Sequence, residues 1–343
     1  MKKGTVTIKD IAQELNISPS TVSRALADNP LVKPSTRQAV KELARKYKYQ
    51  PNFTALSLRS NKTKTLGIII PQIVHEFFAL VIRGIEDYSY AKGYNVIISS
   101  SHENYDREVI DANALLTGRV DGLLACISRT TENYDHFKRF EERNIPLVFF
   151  DCICDEINTY KVVIDDYNAG YTATRHLIEQ GCKKIAYVGG PINLMINQDR
   201  YKGYQDALRE AKLELSDARV VHCKSGDFED GKKASLPIIT NQQIDGLFAG
   251  TDMLAIGAIK NIKEKGLTVP QDVAVIGFSN WSISSIYEPS LSTIDQPGYE
   301  MGLKSAELLI ERIENPDNDA SQQLDQNTIV LQTELIVRES SKR

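Results

Sequence analysis

The sequence is poor in the residues that build metal, redox and membrane devices. Its five cysteines (126, 152, 154, 182 and 223) follow no framework spacing. Cys152 and Cys154 stand too close to bridge easily, and no second pair completes a zinc site. Buried or free thiols in a reducing cytoplasm are expected instead. The five histidines (75, 102, 136, 176 and 222) do not cluster, so no metal is expected either. No run approaches the roughly 18 apolar residues of a membrane span. The start, MKKGTVTIKD, has no apolar core, so a secretory signal is not expected. No Gly-x-Gly-x-x-Gly follows a strand-like run, which removes the main support for a dinucleotide enzyme. GDFEDGKK (226–233) has P-loop spacing, but Lys233 stands where magnesium needs Ser or Thr. No Ser/His/Asp order or carboxylate pair stands out as catalytic. The expectation is no catalytic residue, no cofactor and no enzymatic activity.

What is present is a globular composition and two contrasting parts. With 343 residues, 42% of them hydrophobic and 25% charged, the chain has room for two or three domains. Thr7 to Tyr49 organises the rest. Ile8, Ile11, Ala12 and Leu15 fall at helical spacing, Asn16 and Ile17 make a tight turn, and Ser18 followed by Pro19 starts a second helix. Val22, Ala25 and Leu26 form the buried face of that helix, while Ser20, Thr21, Ser23 and Arg24 face outward. Pro34 opens a third helix, with Val40, Leu43, Ala44 and Tyr47 inward and Lys41, Arg45, Lys46 and Lys48 outward. A short helix, a tight turn and a helix presenting hydroxyls and an arginine is a helix-turn-helix, whose second helix enters the DNA major groove.

A bare three-helix packing module would fit the same pattern, and charge separates the two. Residues 1–62 hold 12 Lys and Arg against 4 Asp and Glu, a net of +8. The remainder holds 29 against 41, a net of −12. That segregation matches a phosphate-binding head on an acidic body.

The same residues carry a family resemblance. TIKDIAQELNISPSTVSRAL, then STRQAVKELARKYKYQPN, resembles the head of the lactose-repressor (LacI/GalR) family of bacterial regulators, with STVSR and YQPN as its specific signatures. Pro19 and Ser20 match the family's base-reading positions, and Arg24 is expected to donate to a guanine edge. A proline there offers only apolar contact, to thymine methyls. Thr7, Thr21, Ser23 and Asn29 are phosphate-contact candidates, which position without specifying. Lys33 stands where the family usually has a capping serine, and Ala27 where it often has asparagine.

Residues 50–62, QPNFTALSLRSNK, link head to body. Pro51 ends what precedes, and Asn52 can cap about two turns of helix running to Leu58, marginal alone. A flexible linker is one reading. The resemblance implies a hinge helix that folds when two copies meet on the minor groove, with Leu58 wedging between base pairs and Ala55 beside the groove floor.

From Leu66 onward, apolar strand-like runs alternate with helix patterns, as in a doubly wound parallel α/β sheet. The count suggests two such units in series, and the resemblance implies that they form a periplasmic-binding-protein-like body. The expected division is residues 1–49 for the helix-turn-helix and 50–62 for the hinge. Residues 63–161 with 293–325 then form one effector-binding subdomain, and 162–292 with 326–343 the other.

Ligands of open α/β sheets bind beyond the carboxyl ends of the strands. Strand-following residues include Pro71, Gln72, His75, Glu76, Phe77, Phe78, Asp151, Pro191 to Arg200, Thr251, Asp252, Ser279, Asn280 and Trp281. Aromatic rings, an arginine and several carboxylates or amides suit a sugar. Each has a bland reading too: Phe77 or Phe78 as core, Asp151 as a turn cap, Asp252 as an N-cap, Trp281 against a dimer partner or domain hinge. The resemblance implies that Arg200, in RYKGY, clamps the effector and that Asp151 contacts it. Thr251 replaces the family's asparagine, and Ser279 replaces an aspartate that often binds effector, so hydroxyl pairing should differ.

The expected function is a cytoplasmic, DNA-binding transcriptional regulator, a homodimer on a pseudo-palindromic operator, controlled by a small molecule such as a sugar. A sugar receptor without a DNA role and an α/β enzyme are the competing readings. Effector closure would release or favour the hinge helices, according to the ligand's differential affinity for the two states.

Overall fold

The computed structural model describes residues 6–49, 62–241, 243–316 and 327–343. Two compact units divide between Thr63 and Lys64. Among the described residues, the first holds three helices, α1 (Ile8–Glu14), α2 (Pro19–Leu26) and α3 (Pro34–Lys46). Asp10 closes the first turn of α1 by accepting from both Thr7 N and Thr7 Oγ1 at 2.7 Å. Asn16, at φ 55°, makes the left-handed turn after α1, a conformation asparagine tolerates better than most residues. Ser18 Oγ then accepts from Thr21 N at 3.1 Å, capping α2 with Pro19 at the first helical position. Ile11, Ala12, Val22, Ala25, Val32, Val40 and Leu43 pack into one small core.

In the body, β1 (Thr65–Ile70), α4 (Glu76–Ala91), β2 (Asn95–Ser100), α5 (Tyr105–Thr117), β3 (Gly122–Ala125), α6 (Asp135–Glu142), β4 (Leu147–Phe150) and β5 (Tyr160–Ile164) come first. Then follow α7 (Asp166–Glu179), β6 (Ile185–Gly189), α8 (Met195–Glu210), β7 (Val220–His222), α9 (Phe228–Asn241), β8 (Gly246–Ala249), α10 (Asp252–Glu264) and β9 (Ala274–Phe278). The chain ends with α11 (Ser282–Ile286), β10 (Ser292–Asp295), α12 (Gly298–Glu314), β11 (Thr328–Leu331) and β12 (Glu334–Ile336). Two six-stranded sheets result, ordered β11-β5-β4-β3-β1-β2 and β12-β10-β9-β8-β6-β7. Pairing is parallel except between β10 and β12. Strands β3, β4, β8 and β9 are buried along their whole length, which explains their unbroken apolar runs.

The structure corrects the expected subdomain boundaries. Residues 162–164 do not begin the second unit, because β5 pairs with β4 and β11 in the first sheet. The return expected at residue 293 falls inside β10, which pairs with β9 and β12 in the second sheet. The tail, assigned whole to the second subdomain from 326, is split: β11 joins the first sheet and β12 the second. An apolar run says that a strand is buried, not which sheet it joins. The chain therefore crosses between lobes at Asp165, at Gln296–Pro297 and at Gln332–Thr333.

Each lobe's helices are drawn close by glycine pairs. A Cβ on Gly84 of α4 would meet Tyr299 O at 2.1 Å, and one on Gly302 of α12 would meet Val81 O at 2.0 Å. Gly170 and Gly203 join α7 to α8 in the same way, and Gly231 and Gly257 join α9 to α10. Where backbone meets backbone, nothing flexible can give way. Gly302→Ala is thus expected to destabilise the body by about 1–3 kcal/mol, as overpacking does. Denaturant unfolding of the full chain measures this, and an unchanged midpoint would contradict the close approach.

Candidate functional site

The head presents one face of α2. Pro19, Ser20 and Arg24 are exposed there, with Thr21 and Ser23 half-buried beside them. Ser18 Oγ lies 2.7 Å from Ser20 Oγ and 2.9 Å from Thr21 Oγ1, so the cap residue also aligns the two hydroxyls behind it. At least three of the phosphate-contact candidates, Thr7, Thr21 and Asn29, have local duties already. Thr7 serves Asp10, and Asn29 Oδ1 accepts from Leu31 N at 2.9 Å. Lys33 precedes α3 with no side-chain cap, and Pro34 at the first helical position supplies the start signal alone. The hinge candidates Asn52, Ala55 and Leu58 lie outside the described residues.

The body's site is a cavity of about 420 Å³ at the carboxyl ends of strands from both sheets. Gln72, Phe77, Phe78, Asp151, Arg200, Thr251, Ser279 and Trp281 line it, as the strand-end rule predicts. Phe77 and Phe78 are both core and wall, buried and packed edge to face at 5.3 Å. Arg200 is only 4% exposed. Its Nε donates to Asp166 Oδ1 at 2.7 Å, its Nη1 to Gly250 O at 3.1 Å, and its guanidinium lies 3.7 Å over the Phe278 ring. Burial pushes the Asp166 carboxyl up to about 7, and the adjacent guanidinium holds it from rising further. Asp151 follows β4 at φ 58°, and burial raises its carboxyl against the pull of Arg200.

Two lobes meet along this cavity. His75 and Trp281 stand edge to face at 4.3 Å, and Glu76 accepts from Ser282 N at 2.9 Å and from Ser282 Oγ. Across the mouth, Arg129 Nη1 donates to Lys224 O at 2.9 Å and Asn193 Nδ2 to Arg129 O at 2.6 Å. Burial, with Arg200 nearby, lowers the His75 pKa to about 4, so this ring is neutral. His75 Nδ1 and Trp281 Nε1 have no hydrogen-bond partner among the described residues.

Two expected ligand contacts are corrected. Asp252 is fully buried and committed inward: its Oδ1 accepts from Thr293 Oγ1 at 2.6 Å and its Oδ2 from Trp281 N at 2.7 Å. It does not cap α10, because Thr251 does, accepting from Leu254 N at 3.2 Å while donating to Gly226 O at 2.6 Å. Asn280 is likewise engaged, donating to Asp295 Oδ1 and accepting from Arg338 Nη2, both at 2.7 Å. Neither lines the cavity. Conversely, Glu103, Arg129, Asp227 and Gln296 line it without having been anticipated. The first three follow β2, β3 and β7, strands to which the same strand-end rule applies. Gln296 sits on a lobe crossing and accepts from Ser279 Oγ at 2.6 Å.

Comparison with known proteins agrees with this two-part arrangement. Residues 7–52 match the bacterial regulatory proteins of the lacI family, and residues 174–341 match a periplasmic binding protein-like domain. Catabolite control protein A of Priestia megaterium is 36% identical over 320 residues, 92% of this chain and 95% of its own. The repressor PurR of Haemophilus influenzae (strain PittEE) is 34% identical over 342 residues, 98% of both chains. A solved complex of the transcriptional regulator CelR with cellobiose superposes with a TM-score of 0.72 at 26% identity, covering 98% of this chain and 99% of that one. A basic helix-turn-helix ahead of a two-lobed ligand cavity, with identity sustained along nearly the whole length, makes this protein a member of the LacI family of DNA-binding transcriptional regulators.

Proposed function

We propose that the protein is a cytoplasmic transcriptional repressor, acting as a homodimer on a pseudo-palindromic operator, whose DNA affinity is set by an uncharged sugar in the cavity. The observation that carries the ligand reading is Arg200. It is buried, fixed by Asp166, Gly250 and Phe278, and faces a cavity walled by aromatic rings and amides. Fixed planar donors beside rings fork hydroxyls and stack on the apolar faces of a pyranose. The carboxylates of Glu103, Asp151 and Asp227 outnumber the cations of Arg129 and Arg200 along the wall, which disfavours acidic sugars. CelR, a relative solved with cellobiose, supports the carbohydrate class.

A non-enzymatic role is part of this reading, because the carboxyls raised to about 7 and about 6, Asp166 and Asp252, are held in structural bonds. A thermal-shift screen of neutral sugars, amino sugars and sugar acids on the full chain tests the ligand. A bound ligand stabilises the folded state by mass action. Stabilisation by acidic sugars alone would overturn the charge argument.

Arg24→Ala tests the DNA reading. It is expected to cost about 1–3 kcal/mol per head in discrimination between operator and mixed DNA. Thermal unfolding of the body and its sugar response should not move. Unaltered selectivity would remove Arg24 from the base-reading set.

A further inference from the structure

Beneath the Arg200 side of the cavity, the Asp151 carboxylate meets two thiols, whose chemistry a sugar does not need. Cys126 follows β3, and Asp151 and Cys152 follow β4, the neighbouring parallel strand. Ile127 N donates to Cys152 O at 3.1 Å and Asp151 N to Val162 O at 3.0 Å, so sheet hydrogen bonds continue past both strand ends and fix these residues. Asp151, in the left-handed region at φ 58°, turns its carboxylate back between the two thiols. Asp151 Oδ2 lies 3.7 Å from Cys126 Sγ and 3.6 Å from Cys152 Sγ, and the three donor atoms all fall within 4.8 Å of one another. All three residues are buried, and Asp151 and Cys152 reach the cavity wall.

The two sulfur–oxygen separations match the edges of a coordination polyhedron, and all three donor atoms lie close enough to share one ion. In a tetrahedron with about 2.3 Å to sulfur and about 2.0–2.2 Å to oxygen, the sulfur–oxygen edges are about 3.5–3.7 Å and the sulfur–sulfur edge about 3.8 Å. Two thiols with one carboxylate is a soft, borderline donor set that selects zinc-like ions over magnesium or calcium. Three protein ligands leave a fourth position for water or a ligand atom, the arrangement of exchangeable zinc sites.

We infer that Cys126, Asp151 and Cys152 form a site for one thiophilic divalent cation, such as Zn2+, at the floor of the cavity. Binding converts two thiols and one carboxylate into two thiolates and one carboxylate around the ion, and two protons leave to solvent. No oxidation is involved. The pair escapes sequence inspection because the adjacent cysteines, Cys152 and Cys154, are not the ones that meet. Cys154, though buried, does not belong to the group, and Cys126 arrives from another strand. The site shares Asp151 with the cavity wall but none of the groups that fix Arg200, so its failure would leave the sugar reading intact.

The test uses the full chain, reduced with a phosphine, stripped by a chelator and titrated with Co2+. A near-ultraviolet thiolate-to-cobalt band saturating at one ion per chain, and bleached by one equivalent of Zn2+, is expected. Cys126→Ala and Cys152→Ala should each weaken Co2+ binding by more than about tenfold, since even groups that merely orient a ligand cost about 10–100-fold when removed. Cys154→Ala should leave the band unchanged. If the wild-type chain shows no thiolate band, or the band survives both Cys126→Ala and Cys152→Ala, the site does not exist. The wild-type titration decides the matter even if a cysteine variant does not fold.

Discussion

Arg200→Ala is expected to abolish the response to effector and to destabilise the body by about 3–5 kcal/mol, the range for breaking a buried ion pair from one side. The loss follows from what is left behind. Asp166 is 7% exposed and has Arg200 as its ion-pair partner at 2.7 Å. Without the guanidinium, its carboxylate would sit buried and uncompensated, and Gly250 O would lose a donor. The pH dependence gives the result a second signature. Burial already raises Asp166 to about 7, well above the ordinary carboxyl value of 3.8, so ionising it costs the folded state. A raised acid contributes stability that is complete below the unfolded pKa and lost as pH rises through the folded one. In the wild type that window runs from about pH 4 to about 7. Removing Arg200 pushes Asp166 higher still, so the variant should suffer less at pH 5 than at pH 8. Asp166→Asn in the same chain should recover part of the stability but not the effector response. A variant equally destabilised at both pH values would mean that Asp166 is not the group exposed by the substitution.

The second large effect is electrostatic. Twelve Lys and Arg against four acidic residues in 1–62 make the head a phosphate-binding surface, while the rest of the chain is acidic. If two heads together neutralise on the order of six to ten phosphates, affinity for DNA should fall about 10³–10⁵-fold between 50 and 200 mM salt. The slope of log affinity against log salt, taken by fluorescence anisotropy on operator and mixed duplexes, measures the number directly. A flat slope would remove DNA from the functional reading, whatever the body binds.

Local signals explain most of what the sequence showed in advance. Ser18-Pro19 caps and starts α2, and the capping and apolar spacing around Ile11 and Val22 define the head, because these interactions lie within a few residues of each other. The fully buried strands are legible for the same reason, since an unbroken apolar run must be covered on both faces. Strand address is not local. Thr328–Leu331 and Glu334–Ile336 read as one strand or a pair, yet they pair with different sheets. The site divides similarly. Asp151 directly follows β4, where position alone nominates it, whereas Arg200 lies in the second turn of α8 and is singled out by the resemblance. Asp252 looked equally well placed, but its carboxylate turns to Thr293 and Trp281, residues separated from it by 29 positions or more. Glu103 and Arg129 were reachable by the rule that found Asp151, applied to β2 and β3.

The three lobe crossings, each only one or two residues long, constrain how the body can respond. Three short tethers form a flexure: they resist shear and separation while leaving rotation about a line through them comparatively soft. Stiff halves, each clamped internally by its glycine-paired helices, would then turn as levers with little bending of their own. Cutting the backbone at any single tether should leave two others holding the levers in register, whereas lengthening one should slacken the rotation itself.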